Sequence, residues 1–291
     1  MKTRNLKLIV GGLGTFLGAV VLGLLITLAR EARKAGQDFT ALQQQVAVLQ
    51  LTLSEGEARG HTGQGRTNVL TSFNPDVDTP KFGETTFVDP MASVIGDVSL
   101  GSSVYVAPFA SIRGDEGQPI SVGDESNVQD GVVIHALETL DHGQPVPNRT
   151  YEVDGRPYAV YIGKRVSLAH QSQVHGPARV DDDVFVGMQA LVFKSWIGRG
   201  AVIEPGAKVI GVIVPAGHYV PSGMVLTDQK LADKLPEITE AYPFAGLNQA
   251  VVHVNTTFAD QYGELARPKG TAAESTAVHP AAKVASADEH P

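Results

Sequence analysis

The chain has 291 residues, of which 43% are hydrophobic and 19% charged, so a sizeable core is available and global disorder is excluded. Acidic residues outnumber basic ones by 31 to 23, and the net charge of −8 argues against nucleic acid as a general partner. Cysteine is absent, which excludes disulfide scaffolds, thiolate zinc sites and cysteine nucleophiles. Any metal must therefore be held by His, Asp, Glu or water.

The N-terminal region contains a hydrophobic run that predicts a membrane helix. Leu8 to Ala29 is 22 residues long and carries no charge, which is enough to cross a bilayer as a helix. Charged residues follow the run directly, and no small-x-small cleavage signal is present. We therefore expect residues 1–35 to form a signal anchor that places the bulk of the chain outside the cytoplasm, in a periplasmic or extracellular space. The alternative is a cleaved signal peptide, which would make the protein secreted.

A helical pattern continues beyond this run and predicts a stem and linker over residues 36–86. Apolar residues recur at alternating spacings of four and three from Val21 to Leu53, which is a heptad repeat. Gly36 and the lack of paired e and g charges leave two interpretations open, a coiled-coil stem and a single amphipathic helix lying on the next domain. Residues 56–86 show no periodicity and are expected to be a polar linker.

A six-residue period begins at Val88 and predicts a parallel β-solenoid over residues 87–224. In a hexapeptide repeat the aliphatic residue of each hexad points inward, and three hexads close one triangular coil. A β-sandwich would instead show alternation of period two. Resemblance to known hexapeptide-repeat proteins implies that the coil is left-handed. The aliphatic positions are Val88, Val94, Leu100, Val106, Ile112, Val122, Val128, Ile134, Ile162, Leu168, Val174, Val180, Val186, Val192, Ile197, Ile203, Val209, Val214 and Val220.

The C-terminal part predicts helices that cap the solenoid and pack along it, over residues 225–265. Residues 226–240 are expected to form one helix interrupted by Pro236, and residues 246–262 a second helix with one apolar face. The polar tail over residues 266–291 is expected to be disordered.

Two insertions interrupt the hexads, and polar residues gather beside them. The first lies between Ile112 and Val122, and the second between Ile134 and Ile162. Inserted loops on a rigid scaffold are where function tends to be found.

The repeat register places two histidines together. His135 and His175 each follow an inward residue and are 40 residues apart, of which 22 are inserted, so one coil of 18 separates them. Adjacent rungs of a parallel sheet are about 4.8 Å apart, so two imidazoles stacked in this way can share one metal ion. The same arithmetic stacks Glu116 and Glu138 at one corner. His170 falls on a neighbouring face, where another subunit could supply it to the other two histidines.

These residues belong to stretches that resemble the gamma-class carbonic anhydrases, in particular the branch that keeps both acidic-loop glutamates. The stretches are SIRGDEGQPISVGDESNVQDGVVIHALET, YIGKRVSLAHQSQVHGPARV and VGMQALVFKS, within residues 73–262. The resemblance implies a left-handed β-helix homotrimer with a metal at each subunit interface. The implied ligands are His135 and His175 of one chain and His170 of its neighbour. Zn2+ is the usual ion, with Fe2+ or Co2+ as alternatives.

The resemblance also implies the reaction, which is reversible hydration of CO2 to bicarbonate and a proton by a metal-bound hydroxide. Glu138 would be the proton shuttle and Glu116 the carboxylate that assists proton transfer. We expect Thr257 to stand where relatives carry Asn. Substrate or bound water would be oriented by Asn127 and Gln129. A polar cluster near the trimer interface would consist of Arg113, Asp115 and Asp130, with Arg113 placed to contact bicarbonate. Tyr262 would lie near the active site.

Two other functions compete with this prediction. A non-catalytic gamma-type scaffold or assembly subunit would usually have a shortened acidic loop or lack its glutamate, whereas Glu116 and Glu138 are both present here. A hexapeptide acyltransferase generally uses one catalytic histidine and needs no metal, which the three-histidine pattern disfavours.

Overall fold

The computed structural model of the protein describes residues 65–266. The predicted signal anchor over residues 1–35, the heptad stem and the tail beyond Ala266 lie outside the described residues. No helix within residues 65–266 is both long enough and apolar enough to span a membrane.

The hexapeptide pattern folds into a parallel β-helix, as the sequence predicts. Successive strands turn through three seven-stranded sheets, and each strand pairs with the equivalent strand one coil further along the chain. Val88 pairs with Val106 and Val94 pairs with Ile112, both 18 residues apart. Each sheet therefore stacks one hexad of every coil upon the same hexad of the next.

The strands are numbered in chain order, and each sheet takes every third strand of the solenoid. Sheet 1 contains β1 (Lys81–Phe82), β4 (Val98–Leu100), β7 (Ile120–Val122), β14 (Val160–Ile162), β17 (Ala178–Val180), β20 (Trp196–Ile197) and β23 (Ile213–Val214). Sheet 2 contains β2 (Phe87–Val88), β5 (Tyr105–Val106), β8 (Asn127–Val128), β15 (Ser167–Leu168), β18 (Phe185–Val186), β21 (Val202–Ile203) and β24 (Tyr219–Val220). Sheet 3 contains β3 (Ser93–Gly96), β6 (Ser111–Gly114), β9 (Val133–His135), β16 (Gln173–His175), β19 (Leu191–Phe193), β22 (Lys208–Ile210) and β25 (Val225–Leu226).

The core is a continuous column of aliphatic side chains inside the triangular coil. Every inward position predicted from the hexads is buried, and the most exposed of them, Leu100, is 4% exposed. Burying one such Val, Leu or Ile side chain contributes about 1.5–3 kcal/mol relative to leaving it in water. This rigid column fixes the height and direction of the polar side chains that point outward from the sheets.

The second insertion is ordered into two short antiparallel hairpins. The first hairpin pairs β10 (Leu140–Asp141) with β11 (Gln144–Pro145), and the second pairs β12 (Tyr151–Val153) with β13 (Arg156–Tyr158). The chain then re-enters sheet 1 at β14, directly above β7.

The polar linker predicted over residues 56–86 is wrong for its last part, because β1 already belongs to sheet 1 and pairs with β4. Arg66 also bridges to Ile95, with its amide 2.8 Å from the Val94 carbonyl oxygen. This segment pairs through its backbone while both side chains of β1 remain exposed. The hexad pattern therefore does not predict strand β1.

The C-terminal elements match one of the two predicted helices. The helix predicted over residues 226–240 is wrong, because only α1 (Gln229–Ala232) forms, capped at its start by the Asp228 side chain. Pro236 follows, and the next residue, Glu237, bridges to His218 in an extended conformation, which ends the helical run. The second prediction is confirmed by α2 (Leu247–Ala266), which packs along sheet 2.

Candidate metal centre

The two histidines predicted to stack are partners on adjacent rungs of sheet 3. His135 ends β9 and His175 ends β16, and the two residues are in register with each other. Their ring centroids are 5.6 Å apart and the ring planes are nearly perpendicular, at 89°. The burial of Ile134 and Val174, one residue earlier, makes both imidazoles point outward from the same face.

His135 lies in a cluster of charged side chains from the first insertion. Its Nε2 atom is 3.0 Å from Glu116 Oε1 and 3.6 Å from Asp115 Oδ1. Arg113 Nη2 approaches the same nitrogen to 2.9 Å. One ring nitrogen can either donate to Glu116 or accept from Arg113, so it cannot satisfy both neighbours at once.

Two oxygens of this cluster are left without a hydrogen-bond partner. Asp115 Oδ1 and Glu116 Oε2 are both buried and unpaired. One ligand atom from each of Asp115, Glu116 and His135 lies within 4.8 Å of the others, a spacing that could enclose a cation. Buried, unpaired carboxylate oxygens are costly unless a cation or a proton compensates them.

His175 has one ring nitrogen committed to the backbone. Its Nδ1 atom lies 3.1 Å from the Gly176 carbonyl oxygen, and its ring packs against the Phe193 ring at a centroid distance of 5.2 Å and an angle of 64°. A carbonyl acceptor requires the proton on Nδ1, which leaves the Nε2 lone pair available. Histidines that bind metals characteristically donate their second nitrogen in this way.

His170 lies away from the other two histidines within the chain, at the turn between sheets 2 and 3. Its Nδ1 atom is 3.0 Å from Asp130 Oδ2, and its side chain is 56% exposed. The Asp130 carboxylate orients the His170 ring through Nδ1 and leaves Nε2 available to bind a different partner. His170 and Asp130 line a cleft of about 380 Å3 between the solenoid and α2, together with Gln129 and Asn255.

Next to this cleft, a network of hydrogen bonds between buried amide and hydroxyl groups connects the predicted residues Gln129 and Asn127 to Ser167. Gln129 Nε2 donates to Asn127 Oδ1 at 2.9 Å, and Asn127 Nδ2 donates to Ser167 Oγ at 2.9 Å. Asn127 and Ser167 are fully buried, and Gln129 is 7% exposed. These hydrogen bonds therefore fix the direction of the Gln129 amide at the cleft. Ser167 was not among the predicted site residues.

The two predicted glutamates are neighbours through the backbone but have different side-chain partners. Thr139, next to Glu138, donates its amide to the Glu116 carbonyl oxygen at 2.9 Å. The Glu116 carboxylate faces His135, whereas Glu138 Oε1 lies 3.4 Å from Arg149 Nη2. The Glu138 side chain is 44% exposed. The backbone pairing matches the predicted register of the two residues, while the carboxylates point to separate groups.

At α2 the cleft is lined by a residue that the sequence analysis did not name. Tyr262 stacks on Phe87 at 5.4 Å and does not line the cleft, and Thr257 is exposed, with its hydroxyl donating to its own helix. Asn255 is instead 7% exposed and lines the cleft with His170. Its spacing of four from Val251 on the apolar face was the available signal.

Tyr105 also lines the cleft and had no signal beyond its place in a hexad. Burial is the main cause that raises the pKa of its phenol to about 12, with smaller contributions from Tyr262 and Asp130. Its hydroxyl therefore stays protonated at physiological pH, which keeps this wall of the cleft uncharged.

The chain is similar to several characterised proteins. It is 57% identical over 200 residues to a carbonic anhydrase of Methanosarcina thermophila, covering 68% of this chain and 81% of that protein. It is 34% identical over 148 residues to the mitochondrial gamma carbonic anhydrase 2 of Arabidopsis thaliana, covering half of this chain and 46% of that one. It is also 42% identical over 173 residues to the carboxysome assembly protein CcmM of Nostoc sp., covering 58% of this chain but 30% of that protein. No family model matches the sequence.

Among solved structures, a hexapeptide transferase family protein from Anaplasma phagocytophilum superposes with a TM-score of 0.51 at 22% identity, over 69% of this chain and 98% of that one. This likeness confirms the left-handed hexapeptide β-helix as the fold. The relatives show that this chain belongs to the gamma carbonic anhydrase family.

Proposed function

We propose that this protein catalyses the reversible hydration of CO2 to bicarbonate and a proton, and that it needs a divalent metal ion to do so. The observation that carries the proposal is the stacked pair of His135 and His175, which faces the Glu116 carboxylate. Membership of the gamma carbonic anhydrase family supports the same reaction.

The histidines of this chain fit a divalent cation. His175 and His170 both commit Nδ1 to an oxygen acceptor, so both present Nε2 as a ligand. Unpaired buried oxygens beside His135 mark a place where positive charge is lacking. We assign His135 and His175 of one chain and His170 of its neighbour as the ligands, with Zn2+, Fe2+ or Co2+ as the ion. When bound, the ion would supply Lewis acidity and lower the pKa of its water to about 7.

The ligand set requires a second copy of this chain. The side chains of His135 and His175 point outward from sheet 3. His170 instead lies at the turn between sheets 2 and 3 and lines the cleft beside α2. A cyclic homotrimer supplies both halves at every interface, because each subunit presents the sheet-3 histidines to one neighbour and His170 to the other.

The remaining polar residues have roles that follow from their contacts. Gln129, held by Asn127, directs an amide toward the substrate and its water. Arg113 pairs with one oxygen of Asp115 and approaches His135 Nε2, and we assign it the role of contacting the bicarbonate anion. Glu116 accepts the first proton beside His135, and the exposed Glu138 passes the proton to buffer.

A scaffold role has one observation in its favour, which is the similarity to a carboxysome assembly protein. That similarity covers 30% of the assembly protein, so it concerns the shared β-helix and leaves the rest of that protein unmatched. The buried polar chain at Gln129 and the acidic cluster at His135 are features of a reactive site, which a scaffold would not require.

The experiment that separates the candidate functions uses the purified full-length protein. We expect about one metal ion per chain and rapid CO2 hydration that a chelator abolishes and Zn2+, Fe2+ or Co2+ restores. A folded protein without metal and without hydration would instead support a scaffold. Acyl transfer from coenzyme A thioesters in the presence of chelator would support an acyltransferase. Either result would overturn the proposed function.

We also propose that residues 1–35 anchor the protein to a membrane, with the catalytic domain outside the cytoplasm. The 22-residue uncharged run supports this proposal. The full-length protein is expected to remain with membranes after a carbonate wash and to be accessible to protease added from outside. A mature N-terminus mapped after Ala29 would show secretion by signal cleavage instead.

A further inference from the structure

Glu138, the residue assigned as the proton shuttle, lies next to a segment of backbone that hydrogen bonds hold in place. Thr139 is 1% exposed, and both its amide and its hydroxyl donate to the Glu116 carbonyl oxygen, at 2.9 and 2.8 Å. A Cβ added to Gly117, whose φ is +104°, would overlap the Thr139 hydroxyl, so the two insertions pack closely here. The backbone next to Glu138 is therefore held in place through Thr139.

Arg149, which also belongs to the second insertion, contacts the Glu138 side chain. The Val146 amide donates to the Thr139 carbonyl oxygen at 2.8 Å, which brings the chain back beside Glu138 after the first hairpin. Asn148 then turns the backbone with a φ of +59°, a conformation that asparagine tolerates. Arg149 follows this turn, and its Nη2 atom lies 3.4 Å from Glu138 Oε1.

The environment of Arg149 differs from that of an ordinary surface arginine. Its side chain is 23% exposed, about half the exposure of the Glu138 side chain. Its Nη1 atom is buried and has no hydrogen-bond partner. Arginine normally keeps its charged head in water, so a guanidinium buried to this degree is held by what it pairs with. Within the described residues, its side-chain partner is Glu138.

We infer that Arg149 is a positioning residue for Glu138. It holds the carboxylate in the orientation from which a proton leaves the site for buffer. The inference rests on the proposed role of Glu138 as the shuttle. A long carboxylate side chain without this partner would sample several rotamers, and only a fraction of them would be in place for proton transfer. The planar guanidinium can fix direction as well as charge, whereas a lysine ammonium would supply the charge alone.

The test compares Arg149→Gln, Arg149→Lys and Glu138→Gln by stopped-flow CO2 hydration at low and high imidazole. Arg156→Gln is the matched control, because Arg156 is an exposed arginine of the same insertion. We expect Arg149→Gln to lower kcat at low buffer by about threefold to tenfold, with kcat/KM and metal content unchanged. Imidazole should restore the rate, and Arg149→Lys should keep an intermediate kcat. Arg156→Gln should behave as the wild type.

The double variant separates positioning from a general structural effect. Arg149→Gln should have no further effect on kcat in the Glu138→Gln background, because the two side chains act in one step. Parallel losses in kcat and kcat/KM, additive effects in the double variant, or a raised kcat would overturn the inference. A wild-type kcat in Arg149→Gln, beside a buffer-sensitive Glu138→Gln, would overturn it while the proposed function stands. A Glu138→Gln enzyme that imidazole does not help would overturn the shuttle assignment itself, and the inference with it.

Discussion

His135 and His175 are paired residues on adjacent rungs of one sheet, and their imidazoles meet edge to face at 5.6 Å. The pairing follows from the stacking of coils, because the residues that precede them, Ile134 and Val174, occupy the same inward column. The β-helix thus places two potential ligands side by side without any flexible element between them. Preorganised ligands of this kind bind a metal with little loss of conformational entropy.

The first prediction concerns metal content. His175→Ala should purify as a folded protein that has lost most of its metal, because one of the three proposed ligands is missing from each site. His218→Ala is the control, since His218 lies in a different part of the solenoid and its ring bonds to the Ala216 carbonyl oxygen. Metal analysis by mass spectrometry measures both variants. A metal-replete His175→Ala would remove His175 from the ligand set.

The second prediction concerns proton transfer through Glu138. Glu138→Ala should lower kcat in weak buffer by about tenfold to a hundredfold while metal content and kcat/KM stay close to normal. Added imidazole should restore much of the rate, because a mobile base replaces the missing carboxylate. Stopped-flow hydration across a series of imidazole concentrations measures the effect. A loss that imidazole leaves untouched would place Glu138 outside the proton path.

The third prediction concerns the buried polar chain behind the cleft. Ser167→Ala removes the acceptor of the Asn127 side-chain amide, and an unpaired buried donor costs about 1–3 kcal/mol in the free energy of unfolding. Because Asn127 in turn holds Gln129, kcat/KM should also fall. Ser121→Ala, at a partly exposed position of β7, should change stability by less than about 0.5 kcal/mol. Equal stability of the two variants in urea would contradict this account.

The fourth prediction concerns the pH dependence of stability. Burial, with repulsion from Asp78, raises the pKa of Asp97 above its usual 3.8, and Lys81 opposes this only in part. The folded state therefore binds more protons than the unfolded state between these two pKa values, and stability falls as pH rises through that interval. Asp97→Asn should thus be more stable than the wild type at pH 7 and lose this advantage near pH 3.

Unfolding in urea at several pH values tests the sign of this effect. The exposed residue Asp76 provides the control variant, Asp76→Asn, which should follow the pH profile of the wild type. A destabilised Asp97→Asn at pH 7 would mean that the ionised carboxylate contributes favourably to the fold.

The solenoid and the histidine pair could be predicted because a hexapeptide coil has a fixed arithmetic. Once Ile134 and Val174 are assigned to the inward column, the positions of His135 and His175 follow without knowledge of distant contacts. The same arithmetic predicts the backbone proximity of Glu116 and Glu138. It cannot predict that their carboxylates turn to different partners, because side-chain direction at an insertion depends on the hairpins that surround it.

Other features depend on tertiary contacts that leave no periodic signal. The strand at Lys81–Phe82 joins sheet 1 through its backbone alone. The position of Asn255 at the cleft depends on which face of α2 packs against the solenoid, which is a property of helix docking. Arg149, which pairs with Glu138, follows the left-handed residue Asn148 in the segment between the two hairpins of the second insertion.

The central claim is that each metal site is built from two chains, and subunit mixing tests it most directly. His170→Ala and His135→Ala, each inactive alone, are refolded together or co-expressed with two different tags. In a cyclic trimer, every mixed assembly contains one interface where an intact His170 meets an intact His135 and His175, so one site in three recovers. Random assembly of equal amounts should restore about a quarter of the wild-type metal content and CO2 hydration rate. Mixed trimers that remain free of metal and inactive would show that each site lies within one chain, and would contradict the account.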